Sequence, residues 1–296
     1  MHRYRQLMVG LTGTEVDDGL IDYAATVVRL GAAQSIRFVH VLAESATGGH
    51  DGKQEELRAA VQQRFASTPA HVPVSFDVLS GPLVDTLLAH AAENHIDLLL
   101  IGGGSQPSNR RSLARRLAMK APCSVWLVPA GSPAKIDRIL TPIDFSESAA
   151  DCVRVATSMA KLLGHKECLA LHVYFNEATV TYEGYDRVLR GEEAEAFKAF
   201  VAPIDCQGVH VTPIFEESAN VPNAIERVAA KHGADLIVMG TRGRSRSAAI
   251  LLGSVTEDLL ASTKIPLLAV KHFGARLSVL QALLDRRFWQ QGEIHT

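Results

Sequence analysis

Residues 239–254 combine flexible backbone with positive charge. The sequence reads MGTRGRSRSAAILLGS; its glycines are Gly240, Gly243 and Gly253, and its arginines are Arg242, Arg244 and Arg246. Glycine lets a ligand approach the backbone because it has no Cβ, and it also tolerates positive φ. Arginine offers paired N–H donors that match phosphate oxygens. This composition predicts a phosphate-binding loop.

The position of the stretch favours the same chemistry. It follows an apolar run, Ala234–Met239, that reads as a buried strand, and it precedes a helical pattern from Val255 to Leu260. Ligands bind at the carboxyl ends of parallel strands, and the free N–H groups of a helix's first turn attract anions. Ser254 is predicted to cap that helix. The segment Ser254-Val-Thr-Glu257 also fits a capping box, which needs no ligand.

Four apolar segments of the early chain recur later in the same order. The pairs are Leu7-Met-Val-Gly10 with Ile139-Leu-Thr-Pro142, Phe38-Val-His-Val41 with Ala170-Leu-His-Val173, Ile96–Gly102 with Ala234–Gly240, and Cys123–Val128 with Ile265–Val270. Such a repeat predicts two copies of one domain. We place the first copy at 1–130 and the second at 137–271, joined by the Pro/Gly/Ser-rich segment Pro129–Lys135.

Each copy alternates short apolar runs with segments of helical period. In the second copy we expect strands at Arg138–Ile143, Glu167–Tyr174, Val209–Phe215, Asp235–Gly240 and Pro266–Val270, and helices at Ser146–Leu163, Glu192–Val201, Asn223–His232 and Ser254–Ser262. This alternation predicts an α/β fold of two doubly wound, Rossmann-like parallel-sheet domains. Residues 272–296 lie outside the repeat and read as an amphipathic C-terminal helix.

Composition limits the function classes. The 296 residues carry a net charge of −2, so we expect no binding to nucleic acid and no acidic membrane partner. No apolar run is long enough to span a membrane. The four cysteines show no disulfide pattern, which favours a reducing cytoplasm, and no Cys/His cluster predicts a metal site.

The spacing Gly240-x2-Gly243-x9-Gly253-Ser254 resembles the nucleotide-binding signature of the universal stress proteins. The segments Ile139–Ser146 and Asp235–Arg244 also resemble that family's opening strand and its fourth strand with loop. The resemblance implies that the second copy binds ATP or another adenine nucleotide, alone or with Mg²⁺. Asp144 and Val173 would hold the adenosine end, and the glycines with Ser254 would hold the phosphates. The implied nucleotide-binding residues are Pro142, Asp144, Val173, Gly240, Arg242, Gly243, Gly253 and Ser254.

The first copy departs from this pattern. The repeat alignment places Thr12 at the position of Asp144 and Gly10 at that of Pro142. The loop after the fourth strand is shorter, and Arg111 replaces Gly253, although Ser112 still matches Ser254. We therefore expect the first copy to have lost nucleotide binding.

Simpler roles compete at several of these residues. Asp144 also suits a turn beside a Ser146 cap, and the loop arginines also suit a solvated surface. The basic run between Arg110 and Lys120 is expected to be a solvated helix face, with a site for an anion or an acidic partner as the alternative. His40 and His172 occupy matching strand positions and are expected to be structural. The leucine stripe of the C-terminal helix is expected to pack on its own protein, with a partner-binding helix as the alternative.

Taken together, the sequence predicts a cytoplasmic adenine-nucleotide-binding regulatory module. A slow ATP hydrolase and a ligand-free scaffold are the alternatives, and no motif identifies a general base. The final strands, Ser124–Val128 and Pro266–Val270, are expected to pair and form an intramolecular pseudo-dimer. A homo-oligomer of the chain and an unknown protein partner stay open.

Overall fold

A computed structural model describes residues 4–14, 16–30, 33–42, 50–65, 72–103, 107–175, 185–241 and 252–271, with the backbone alone at 50–51, 107–112 and 185–190. The predicted C-terminal helix at 272–296 lies outside these residues, as do Arg242 and Gly243.

Strands and helices alternate along the described chain, as the apolar periodicity predicts. The first copy contains β1 (Gln6–Leu11), α1 (Val16–Arg29), β2 (Ser35–Leu42), α2 (His50–Phe65), β3 (Val74–Ser80), α3 (Leu83–Glu93), β4 (Leu98–Gly103), α4 (Pro107–Lys120) and β5 (Ser124–Pro129). The second copy contains β6 (Ile139–Ile143), α5 (Glu147–Leu162), β7 (Glu167–Tyr174), α6 (Tyr185–Val201), β8 (His210–Glu217), α7 (Val221–His232), β9 (Leu236–Gly240), α8 (Ser254–Ser262) and β10 (Leu267–Val270).

The element boundaries of the second copy follow local sequence signals. Ser146 caps α5 by accepting from the N–H of Ala149, and Gly164, at φ 78°, follows the helix end. Asn220 caps α7 in the same way, through the N–H of Asn223. Helix α6 starts seven residues before the predicted Glu192, and it runs through Gly191. The prediction was wrong there because glycine weakens a helical pattern without excluding it.

The strands of the described residues belong to one ten-stranded sheet in the order β3-β2-β1-β4-β5-β10-β9-β6-β7-β8. Within each copy the neighbouring strands are parallel. In each copy the winding reverses between the first and fourth strands, β1 and β4 or β6 and β9. The carboxyl ends of those two strands therefore mark the place where a doubly wound fold binds ligands.

Each face of the sheet is covered by helices. Helices α1, α2, α5 and α6 supply buried side chains to one face, and α3, α4, α7 and α8 supply them to the other. Both cores run through the two copies without a break, because apolar residues of β5 and β10 take part in each. No helix of the described chain is long and apolar enough to cross a membrane.

The copies join through an antiparallel pairing of β5 and β10. Leu267 lies opposite Leu127, Leu268 opposite Trp126, and Ala269 opposite Val125. Trp126 is completely buried, and its ring makes an edge-to-face contact with Tyr23 at 5.4 Å. The predicted pairing of the final strands is thus present, and it buries the edge that each copy would otherwise expose.

We predict that Trp126→Ala lowers the free energy of unfolding by about 3–5 kcal/mol, because it empties the centre of the joined core. Phe175→Ala is the matched control, since Phe175 is 60% exposed, and a surface change typically costs about 0.5 kcal/mol or less. Urea denaturation of both variants measures the difference. Equal losses would contradict the central place of Trp126.

Candidate functional site

A cleft lies at the carboxyl ends of β6 and β9, between the first turns of α7 and α8. It encloses about 200 Å³. Five of the predicted site residues line it: Pro142, Asp144, Gly240, Gly253 and Ser254. Seven further residues complete the lining: Ile143, Ala149, Val221, Ile225, Met239, Val255 and Thr256. The structure thus brings Pro142 and Asp144, which follow the first strand of the second copy, next to Gly240, Gly253 and Ser254, which follow its fourth strand.

The start of α8 differs from the prediction. The N-cap is Gly253 and not Ser254, and no side chain caps the helix. The Glu257 carboxylate lies 2.6 Å from Arg115 of the first copy, so the predicted capping box does not form. Ser254 is exposed at the cleft wall as the first helical residue.

The two lining glycines do not depend on positive φ. Gly253 has φ −65° and ψ 140°, which any residue adopts, and Gly240 is the last residue of an extended strand. Glycine at these two positions leaves space for a ligand, because a side chain at either of them would start at the wall of the cleft.

Two hydrogen bonds tie the helix start to the strand end. The buried Thr256 hydroxyl donates to the carbonyl of Gly240 at 2.8 Å, and the N–H of Gly253 donates to the carbonyl of Thr241 at 2.9 Å. The N–H groups of the following first turn have no partner within the helix. They lie at the cleft wall with the positive end of the helix dipole, which suits an anion.

Asp144 forms a tight turn at the opposite side of the cleft. Its Oδ1 accepts from the backbone N–H of Ser146 at 3.1 Å and from the Ser146 hydroxyl at 2.5 Å. Phe145 between them has φ 62°, a left-handed conformation that is uncommon for a phenylalanine. The turn-forming role of Asp144 is therefore present, and the same residue also lines the cleft.

The first copy builds the matching turn differently. Its carboxylate comes from Asp17, at the position of Ala149 in the second copy. Asp17 is 5% exposed and accepts from the N–H groups of Thr12, Gly13 and Thr14 at 2.9, 2.6 and 3.3 Å, and from the Thr12 hydroxyl at 2.9 Å. The first copy thus buries the carboxylate of its turn at Asp17, whereas the second copy has Asp144 at the cleft and the methyl group of Ala149 at the position of Asp17.

His40 and His172 have the same structural role in the two copies. Their Nδ1 atoms each lie 3.0 Å from the carbonyl oxygen at the end of the neighbouring strand, Leu11 in the first copy and Ile143 in the second. The rings thereby brace the carboxyl ends of β1 and β6. His172 also contacts the Phe145 ring at 4.3 Å between centroids, beneath the Asp144 turn.

An apolar wall of the cleft was not predicted. Val221 and Ile225 of α7, with Met239 of β9, form it. The Asn220 cap and the spacing of Val221 and Ile225 indicate an apolar helix face, but nothing in the sequence indicates that α7 lies beside β6 and β9. Val173 was predicted to be in the site, yet it lies outside the lining and packs, half-buried, in the adjoining core.

The thiols offer no activated nucleophile. Burial raises the pKa of Cys123 and of Cys168 to about 12, and it also raises the pKa of Cys152 and Cys206. At neutral pH these groups stay protonated, and the thiolate is the reactive form. Among the described residues no group of His, Cys, Asp and Glu side chains is arranged to hold a metal ion.

We predict that Asp17→Ala lowers the free energy of unfolding by about 3 kcal/mol, since it leaves several donors of a buried turn without their acceptor. Asp18→Ala is the neighbouring control. Asp18 is half-exposed and pairs with Arg64 at 2.5 Å, so its loss costs about 1 kcal/mol or less. Urea denaturation compares them, and an equal loss in both variants would refute the structural role of Asp17.

Comparison with protein families gives two matches in this chain. The model of the Universal stress protein family matches residues 3–129 and again 135–271. A universal stress protein of Methanocaldococcus jannaschii, MJ0531, is 33% identical over 142 residues, which cover 45% of this chain and 81% of that protein.

A solved structure aligns over nearly the whole of this chain. The functionally unknown protein PA1789 from Pseudomonas aeruginosa aligns over 96% of this chain and 98% of its own, with a TM-score of 0.71 and 16% identity. A universal stress protein in complex with cAMP aligns over 47% of this chain and 99% of its own, with a TM-score of 0.34 and 23% identity. The first of these alignments shows that the tandem fold is shared.

Proposed function

Since this chain belongs to the universal stress protein family, we propose that its second copy binds one adenine nucleotide, such as ATP, in the cleft between β6, β9, α7 and α8. The first copy is a partner domain that binds none. The chain then acts as a nucleotide-dependent regulatory module. Its four free thiols fit a reducing compartment such as the cytoplasm.

The difference between the two copies is the observation that supports this most strongly. At matching positions the second copy has Gly253 and Ala149 around its cleft, whereas the first has Arg111 and the buried Asp17 carboxylate. A nucleotide would therefore meet a wall without a side chain at Gly253 in the second copy, and in the first copy an arginine at that position and a turn that the Asp17 carboxylate already fills.

The cleft offers a partner for each part of a nucleotide. The first-turn amides of α8 suit phosphate oxygens. An apolar wall for the base is formed by Val221, Ile225 and Met239. The Asp144 carboxylate suits the ribose, because it can accept a hydrogen bond from a ribose hydroxyl. The described lining encloses about 200 Å³, below the roughly 300–1,000 Å³ of complete ligand pockets. The predicted phosphate-binding residues Arg242 and Gly243 belong to the segment that joins β9 to α8 in the sequence.

The position of α8 suggests how binding is transmitted. The first turn of α8 lines the cleft, and Glu257 in the same helix pairs with Arg115 of the first copy. A phosphate that fixes this turn therefore also fixes a contact with the other copy. Occupancy changes the loop at the cleft and the surface that the chain offers to another protein.

Calorimetric titration of the purified protein with ATP, AMP and cAMP tests the proposal. We expect saturation near one nucleotide per chain for at least one of the three. Mass spectrometry of the released small molecules tests whether the purified chain already carries one. Absence of a bound nucleotide in both measurements would contradict the proposal, and two equivalent sites per chain would contradict the assignment to one copy.

Gly253→Val is the sharpest variant, because valine readily adopts the observed φ and ψ and adds a side chain at the cleft wall. We predict a loss of nucleotide affinity on the order of ten-fold or more, about 1.4 kcal/mol or more of binding free energy. Arg111→Val makes the same residue at the matching position of the first copy and should leave affinity unchanged. Binding that survives Gly253→Val in a folded protein would defeat the assignment of this wall.

A further inference from the structure

The helices that meet at the junction of the two copies carry opposite charge. Helix α4, PSNRRSLARRLAMK, contains five basic residues and no acidic one. Helix α8, SVTEDLLAS, contains two acidic residues and no basic one. These helices are the fourth helix of each copy and pack against each other beside the β5–β10 pair. Equivalent surfaces of the two copies have therefore acquired opposite signs.

One ion pair joins equivalent positions across the junction. The repeat alignment that pairs Ser112 with Ser254 also pairs Arg115 with Glu257. In the structure Arg115 Nε lies 2.6 Å from Glu257 Oε1. A pseudo-twofold axis that relates the copies therefore brings these two positions together. If two first copies met in this way, arginine would face arginine, and two second copies would place glutamate against glutamate.

The paired strands β5 and β10 also carry side chains of different size at the centre of the junction. Trp126 and Leu268 are equivalent positions and lie directly opposite each other. The first copy accommodates its tryptophan beside Tyr23, whose equivalent in the second copy is Val155. Two first copies would oppose two tryptophans in one closed core, and two second copies would oppose two leucines and leave a gap. Both overfilling and cavities destabilise a packed core.

Lys271 adds two contacts across the junction, and one of them can form only in the unlike pair. Its backbone N–H donates to the Ser124 hydroxyl at 3.1 Å, and its ammonium donates to the carbonyl of Met119 near the end of α4, also at 3.1 Å. The equivalent of Lys271 in the first copy is Pro129, and the equivalent of Ser124 in the second copy is Pro266. Proline has neither the N–H nor the hydroxyl, so a pair of like copies loses the backbone-to-hydroxyl bond.

We propose that this junction recognises the unlike copy and rejects the like one. The partner that fits the β5–α4 surface is the β10–α8 surface of the same sequence, through charge, volume and hydrogen bonding together. The chain thus closes its own sheet, and its copies do not join their own kind from other chains. This inference concerns the junction alone and does not depend on nucleotide binding.

A chain that is cut after folding tests the selectivity. A protease site inserted between the exposed residues Ala130 and Gly131 lets the linker be cut in the folded protein. The cut protein is diluted, mixed with isotope-labelled cut protein, concentrated again and measured by native mass spectrometry. We expect pairs of one first and one second copy only. Random pairing would give a roughly 1:2:1 mixture, and like pairs above about one tenth of the unlike pairs would overturn the proposal.

Charge reversal tests the ion pair in the same assay. Glu257→Arg places arginine on both surfaces, so the ratio of unlike to like pairs should fall several-fold. The exchanged variant Arg115→Glu/Glu257→Arg should restore the ratio. Lys198→Glu, at a residue that is 70% exposed on α6, is the control and should leave the ratio unchanged. A restored ratio supports selection by charge, and an unrestored one contradicts it.

The intact chain provides a second measurement that needs no separation of the copies. Arg115→Glu and Glu257→Arg should each lower the melting temperature by roughly 1–3 °C at low salt, and the exchanged variant should recover it. High salt should reduce the difference because both side chains are partly exposed. Single reversals without effect, or an exchanged variant as unstable as both single ones, would overturn the role of this pair.

Discussion

The antiparallel pairing of β5 with β10 is the constraint on which the remaining structure depends. A parallel sheet of five strands has two open edges, and the fifth strand of each copy is apolar on both faces. Joining the two fifth strands hides one edge of each copy, leaves β3 and β8 as the edge strands, and merges the cores on each side of the sheet. The pairing also places α4 against α8, and the first turn of α8 lines the candidate site.

Covalent linkage allows the two copies to diverge around this pairing. In a symmetric dimer each residue on the twofold axis meets its own kind, so a change appears twice. In a tandem chain Arg115 meets Glu257, and Trp126 meets Leu268. The same freedom extends to the two carboxyl-edge turns. One copy uses a buried Asp17 to satisfy its turn, and the other keeps an alanine there beside an open cleft.

The fold was largely predictable because its signals are local and repeated. The Ser146 cap and Gly164 mark the ends of a helix, and the apolar runs that mark the strands occur twice because the chain repeats. The glycines of the site were predictable for a similar reason, since spacing is visible in the sequence. The residues that each side chain contacts in the folded chain were not predictable. Arg115 keeps 47% of its side chain exposed, as a solvated helix face predicts, but its ion pair with Glu257 could not be predicted, because Glu257 lies far away in the sequence.

The apolar wall of the cleft shows the same limit. Val221 and Ile225 follow a helix cap that the sequence shows, but only the strand order places α7 beside the switch point. Gly253 was expected in the site for the space that it leaves to a ligand. Its observed φ of −65° fits that reason, because any residue can adopt this backbone conformation.

Amide hydrogen exchange with and without ATP tests the central claim most directly, because the proposed phosphate contacts are backbone N–H groups. If the second copy alone holds the nucleotide, exchange slows in peptides that contain Ser254, Val255 and Thr256. Exchange in peptides that contain Thr12, Gly13 and Thr14 stays the same, since Asp17 already accepts from those amides. Slowing at the first-copy turn, or no change at the start of α8, would contradict the claim.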